Sequence, residues 1–213
     1  LTGKDDDAVA DGDQTFEVVF LPAVSTDTNY SGLVISRLDA KNLDNDSPGI
    51  VTSVSGGLIT GEDGTSDTFE VRLKSKPTTG NPVTLQVSTD RPPEGTATPA
   101  QLVFNELDWA SPRTVVVRGV QDDRVADSDQ PYKVLFTASS DDTRYAGMTA
   151  SVDVLNIDDD RAGISVTSLH TPLVVREDGS TDTFDVALRS KPTGNVTITV
   201  SSTDAGEGVV TPT

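Results

Sequence analysis

The chain repeats itself, and the repeat limits the folds open to it. Glu62-Asp63-Gly64-Thr65-Ser66-Asp67-Thr68-Phe69 returns 115 residues later as Glu177-Asp178-Gly179-Ser180-Thr181-Asp182-Thr183-Phe184. Lys76-Pro77 returns as Lys191-Pro192 at the same offset. A second block, Gly3 to Gln14, matches Gly119 to Gln130, and Asn42-Leu43-Asp44-Asn45-Asp46 matches Asn156-Ile157-Asp158-Asp159-Asp160. The offset drifts between 114 and 116, as small loop insertions around one architecture require. The 213 residues therefore divide into the C-terminal half of a repeat (1–46), a complete repeat (47–160) and the N-terminal half of the next (161–213). Together the two halves lack only a counterpart of residues 101–116. Two explanations fit: an excised piece of a longer protein, or half-repeats of neighbouring molecules that complete each other head to tail.

Within the complete repeat, apolar residues alternate with polar ones at the period of a strand. Expected strands are 50–54, 58–61, 67–74, 83–89, 101–104, 113–119, 130–138 and 149–157. In Thr68-Phe69-Glu70-Val71-Arg72-Leu73-Lys74 the three apolar side chains share one face, and Thr114-Val115-Val116-Val117 has the β-branched content strands favour. Connectors such as Pro77-Thr78-Thr79-Gly80-Asn81-Pro82 carry turn chemistry. No stretch shows a helical stripe. This spacing predicts an all-β chain of tandem immunoglobulin-like sandwich repeats of about 115 residues. Phe69, Val71, Leu73, Leu85, Val87, Phe104, Trp109, Val115, Val117, Tyr132, Val134, Phe136, Val152, Val154 and Ile157 form the expected core.

Acidic residues recur in register. Glu62 follows an early strand, Asp122-Asp123 precedes the Tyr132 strand, and Asp158-Asp159-Asp160 closes the repeat; Asp90 is a further candidate. Each alone reads as a turn former or a solvated charge. Together, at strand ends that share a pole, they would repel one another unless neutralised. A hard divalent cation does this, and calcium, with roughly six to eight oxygen ligands in loose geometry, suits loop carboxylates better than magnesium. The net charge of −18, from 34 acidic and 16 basic side chains, also favours cations. It disfavours nucleic acid and anionic membranes as partners.

The same residues resemble the Calx-β repeat, a calcium-binding immunoglobulin-like module of exchangers and many large bacterial surface proteins. Glu62, Thr89-Asp90 with Gly95-Thr96-Ala97, Asp122-Asp123 through Tyr132, and Asp158-Asp159-Asp160 carry the resemblance. It departs from the family pattern where Asp127 and Gln130 replace two glutamates, and where Arg91-Pro92-Pro93-Glu94 is inserted after Asp90. The resemblance implies Ca2+ ligands at Glu62, Asp90, Asp122, Asp123, Asp158, Asp159 and Asp160. It also implies an extracellular or cell-surface location and a bacterial origin. The expected role is a spacer whose repeat junctions calcium stiffens. Its partners are neighbouring repeats of the same or an identical chain, with a glycan or protein receptor bound through domains outside this sequence. The alternative is a filament subunit, a homopolymer of exchanged half-repeats.

Other chemistries find little material. There is no cysteine and one histidine, His170, so neither a thiolate zinc site nor a catalytic triad assembles. Paired carboxylates match the glycosidase arrangement only in composition, because few aromatic residues are present to hold a sugar. The expectation is a non-enzyme. Trp109 reads as a plug at one end of the sandwich, Tyr30 and Tyr145 as loop anchors, and the Asn195-Val196-Thr197 sequon as a strand segment. No apolar run is long enough to span a membrane.

Overall fold

A computed structural model describes residues 1–6, 8–122 and 124–212. All thirteen described elements are strands, and no helix forms among the described residues. The N-terminal segment contributes a ribbon of β1 (Gln14–Val18) and β2 (Leu38–Asn42). The central region holds β3 (Ile50–Thr52), β4 (Leu58–Gly61), β5 (Ser66–Leu73), β6 (Val83–Thr89) and β7 (Gly95–Thr98). It continues with β8 (Gln101–Phe104), β9 (Arg113–Gly119), β10 (Gln130–Ser139) and β11 (Thr149–Ile157). A second ribbon, β12 (Ile164–Ser168) with β13 (Phe184–Leu188), follows.

The central strands build two sheets, one in the order β4-β11-β10-β6-β8 and one in the order β3-β5-β9-β7. Their inner faces meet in a single core that includes Phe69, Leu73, Leu85, Phe104, Val115, Val134 and Phe136. The alternation is clean: β10 runs buried at Tyr132, Val134, Phe136 and Ala138, with polar or half-exposed residues between. Phe69 from one sheet meets Phe136 from the other edge to face, with ring centroids 6.0 Å apart. Trp109 is partly buried against this core, and its carbonyl accepts the Leu73 amide.

The expected strands stand with three adjustments. Strand β3 stops at Thr52 and β5 spans 66–73, and β7 was not anticipated. Gly95-Thr96-Ala97-Thr98 has no apolar alternation, and it becomes a strand because β9 offers it a ladder, with Ala97 opposite Val117. Ile157 is half-buried, whereas Leu58, Val83, Leu102 and Tyr145 join the core.

One parallel pairing sets the position of the acidic residues. Strands β4 and β11 run side by side in the same direction, with Gly61 opposite Ile157. Their C-terminal ends therefore emerge at one pole. Strand β9 is antiparallel to β5, and Arg118 lies opposite Ser66. The end of β9 thus returns to the start of β5, which is again the point where β4 has just ended.

Candidate metal centre

Glu62, Asp122 and Asp160 leave the ends of β4, β9 and β11, and these three converge. One carboxylate oxygen from each lies within 4.8 Å of the others. The loops are held from below by a buried polar triad. Thr60 donates to Asn156 Oδ1 at 3.0 Å and pairs with the Tyr132 hydroxyl at 3.2 Å. Gly119 permits the close approach: a Cβ there would collide with the Gly61 carbonyl. Glu62 itself is pinned by its amide, which donates to the Ile157 carbonyl at 3.1 Å.

The electrostatics are unbalanced. Glu62 is only 2% exposed, and its Oε2 has no hydrogen-bond partner. Asp160 Oδ2 is likewise buried and unpartnered. Burial, then the charges of Asp122, Asp158, Asp127 and Asp159, raise the Glu62 carboxyl to about 7. Burial and the neighbouring Asp159 also raise Asp160, with Arg124 opposing. Buried acids are ordinarily paired or hydrogen-bonded. Here the two residues with orphaned oxygens stand with Asp122 in one group of carboxylates.

Carboxylate–amide hydrogen bonds tie the described part of the surrounding loop together. Asp158 Oδ2 accepts the Ser128 amide at 2.8 Å, and Asp158 Oδ1 accepts the Asp160 amide at 2.7 Å. Asp129 Oδ1 accepts the Asp158 amide, and Asp122 Oδ1 accepts the Val125 amide. Arg124 and Ser128 adopt positive φ, 68° and 72°, a conformation that side-chain-bearing residues seldom take. The same hydrogen-bond pattern recurs in the N-terminal segment. Asp44 accepts the Gly12 amide at 2.6 Å and the Asp46 amide at 2.7 Å, and Ala8 and Gly12 repeat the positive φ. There Asp5, Asp6 and Asp46 gather as a second acidic group.

Of the expected ligands, Glu62, Asp122 and Asp160 come together. Asp158 supports the loop through its hydrogen bonds, and Asp159 accepts one from the Gln121 side chain at 3.2 Å; both act on Glu62 through their charge. Asp90 stands outside the group. Its Oδ1 accepts the Lys133 amide at 2.7 Å and its own amide donates to the Lys133 carbonyl, so it caps the β6–β10 ladder. Asp123 lies outside the described residues. One acid missing from the expected set acts on the site: Asp127 raises Glu62, while Glu94 is itself raised by burial and then by Asp127 and Asp122, with Arg91 opposing. The pairing of Asp127 with Asp11 in the repeat was the available signal.

An all-oxygen, negatively charged donor set with orphaned buried oxygens fits a hard cation, and it lacks the nitrogen or sulfur ligands that zinc prefers. His170 lies elsewhere, exposed and bonded to Asp182 at 3.1 Å.

No family model and no curated protein match this chain. Among solved structures, the periplasmic chaperone SfaE aligns at 10% identity and a TM-score of 0.40, over 52% of this chain and 57% of SfaE. The E. coli chaperone DraB aligns at 9% identity and a TM-score of 0.40, over 70% and 87%. Domains 4 and 5 of the S-layer protein SbsC align at 19% identity and a TM-score of 0.34, over 57% and 59%. The chain thus spans little more than half the length of SfaE and of the SbsC domains.

Proposed function

We propose that this chain is a non-catalytic, calcium-binding spacer of tandem Calx-β-like repeats of about 115 residues, drawn from an adhesin-like or other surface protein of a bacterium. Calcium binds at Glu62, Asp122 and Asp160 and stiffens the repeat junctions. The observation that carries this reading is the buried Glu62 carboxyl, unpartnered at Oε2 and set against two further acids. Without a cation, that carboxyl stays protonated near neutrality or meets the charge of its neighbours unrelieved.

The junction role is supported by where the acidic loop leads. The loop that carries Asp122 also presents the Arg124 carbonyl, which accepts the Lys191 amide of the next repeat at 2.7 Å. At the preceding junction the Ala8 carbonyl accepts the Lys76 amide at 2.8 Å, and Arg144 donates to the Ala10 carbonyl at 2.7 Å. An ion held by this loop fixes the surface against which the following repeat docks.

A thermal melt in EDTA, then in calcium, then in magnesium tests the reading. A ligand that binds only the folded state stabilises by about 2.7 kcal/mol at a hundredfold excess over Kd. The expected result is a rise in Tm specific to calcium and absent in Glu62→Gln. No rise, or an equal rise with magnesium, refutes it. Small-angle scattering tests the junction: calcium is expected to narrow the distribution of lengths.

A further inference from the structure

Residues 27–32 and 142–147 are one loop built twice. Asp27, Tyr30 and Gly32 match Asp142, Tyr145 and Gly147 in the sequence. The backbones agree as well. The Tyr30 and Ser31 amides donate to the Asp27 carbonyl at 3.0 Å, and the Tyr145 and Ala146 amides donate to the Asp142 carbonyl at 3.0 Å. Gly32 and Gly147 both take positive φ, and their amides donate to the carbonyls of Ala23 and Ala138 at 2.8 and 2.9 Å.

Asn29 stands where the second loop has Arg144. Asn29 closes its turn alone, for its amide and its Nδ2 donate to Asp27 Oδ1 at 2.9 and 3.0 Å. Arg144 makes the same two bonds to Asp142 Oδ1, from its amide at 3.1 Å and its Nε at 2.9 Å. The rest of its guanidinium goes further. One terminal nitrogen donates to Asp142 Oδ2 at 2.7 Å and to the Thr78 hydroxyl at 2.8 Å. The other donates to the Ala10 carbonyl at 2.7 Å, across 134 residues of chain. This loop therefore folds without an arginine, and what Arg144 adds is the reach to Thr78 and to Ala10.

A second contact lies beside the first. The Lys76 amide donates to the carbonyl of Ala8, a residue in the left-handed conformation with φ of 68°. The same contact joins Arg124, also at φ of 68°, to the Lys191 amide. In both, the donor precedes a proline, Pro77 or Pro192.

We infer that Asp142 and Arg144 form a docking clasp for the Ala8–Ala10 stretch, one that holds the N-terminal segment on the central sandwich without a cation. The partner this surface fits is backbone: two carbonyls two residues apart, the first on a left-handed residue, the second on a small one. Ala10 is 6% exposed, so a larger side chain does not fit there. Asp142 is the positioning residue. It occupies one edge of the planar guanidinium and leaves the remaining nitrogen to Ala10, a division that a lysine ammonium, with no fixed fork, does not impose. Asp142 Oδ2 also accepts the Thr78 amide at 2.8 Å, which ties the fork to the turn carrying Lys76. The clasp lies at the pole opposite Glu62 and stands apart from the calcium reading.

Residue-resolved hydrogen exchange on the full chain in EDTA provides the experiment, because two adjacent amides report on different contacts. The Ser75 amide donates to the Tyr145 hydroxyl at 3.2 Å, inside the sandwich, whereas the Lys76 amide donates across to Ala8. Arg144→Asn copies the loop that Asn29 closes. Ala10→Leu opens the contact from the other side and leaves the sandwich sequence untouched. In wild type the Lys76 amide is expected to be protected in EDTA. Both variants are expected to speed its exchange about tenfold or more, the equivalent of one charge-assisted hydrogen bond, and to leave Ser75 unchanged. If Arg144→Asn speeds both amides, Ala10→Leu decides: Lys76 rising alone upholds the clasp, and no change there assigns Arg144 to the loop and overturns it. Protection of Lys76 that survives both variants overturns it too. So does a wild-type Lys76 amide that is protected only when calcium is added.

Discussion

Glu62 gives the protein an unusual dependence on pH. Its carboxyl is raised from an ordinary 4.5 to about 7, chiefly by burial and then by Asp122, Asp158, Asp127 and Asp159. Between those two values the folded chain holds a proton that the unfolded chain has released. Stability must therefore fall as pH rises through the window. At roughly 1.4 kcal/mol per pH unit the loss is about 3 kcal/mol when the window is crossed. For a repeat of this size that lowers Tm by roughly 10 °C. The assay is a series of melts in EDTA from pH 4.5 to 7, wild type against Glu62→Gln, which carries no titrating group at this position. Titration of the remaining carboxylates is common to both proteins and cancels in the comparison. In saturating calcium the ion takes the proton's place and the wild-type decline is expected to vanish. If the two proteins lose stability in parallel in EDTA, Glu62 does not hold the raised carboxyl and the reasoning about this pole fails.

Three further substitutions separate roles within the acidic set. Asp160→Asn is expected to abolish the calcium-dependent rise in Tm while costing little in EDTA, since it removes a repelling charge with an unpartnered oxygen. Asp90→Ala is expected to leave the calcium response intact and to cost about 1 kcal/mol by denaturant melt, because Asp90 accepts a backbone hydrogen bond from Lys133. Asp142→Asn is expected to cost about 3 kcal/mol at neutral pH, the penalty for leaving a partly buried Arg144 without its partner. The Arg144 guanidinium first, then the Thr78 and Arg144 amides, hold the Asp142 carboxyl well below its ordinary 3.8. Its stabilisation is therefore complete above that value and lost as pH falls beneath it, so the variant is expected to show a flatter acid limb.

The parts of the fold legible in the sequence are those in which one side chain in two is apolar. Phe69-Val71-Leu73 and Tyr132-Val134-Phe136 announce both the strand and its buried face. Strand β7 carries no such pattern and exists by virtue of its partner, so local reading passes over it. The acidic pole was legible through recurrence at strand ends. Which acids meet was not, because Asp90 and Asp160 look alike until the Lys133 amide, 43 residues from Asp90, claims one of them. The Thr60–Asn156 contact spans 96 residues and joins two polar side chains that alternation alone would place in solvent or core with equal ease. Tyr145 was legible as an anchor: fully buried, its hydroxyl lies 2.5 Å from the Ser75 carbonyl and donates to it. Tyr30, which matches it in the sequence, is 61% exposed.

The two poles of the central sandwich treat a buried acid in opposite ways. At the pole of the β10–β11 turn, Asp142 is 4% exposed and is met by Arg144 at 2.7 Å, by the Thr78 amide at 2.8 Å and by the Thr78 hydroxyl. The charge is neutralised within the chain, and the same arginine reaches the Ala10 carbonyl of the N-terminal segment. That junction contact is permanent, for arginine does not titrate in the accessible range. At the other pole Glu62 is buried as deeply, and the charges acting most strongly on it are all negative. A chain able to place an arginine beside a buried acid at one end leaves the acid at the other end to be met by a proton or a dissolved cation. The first contact is fixed by sequence, and the second is set by the solution.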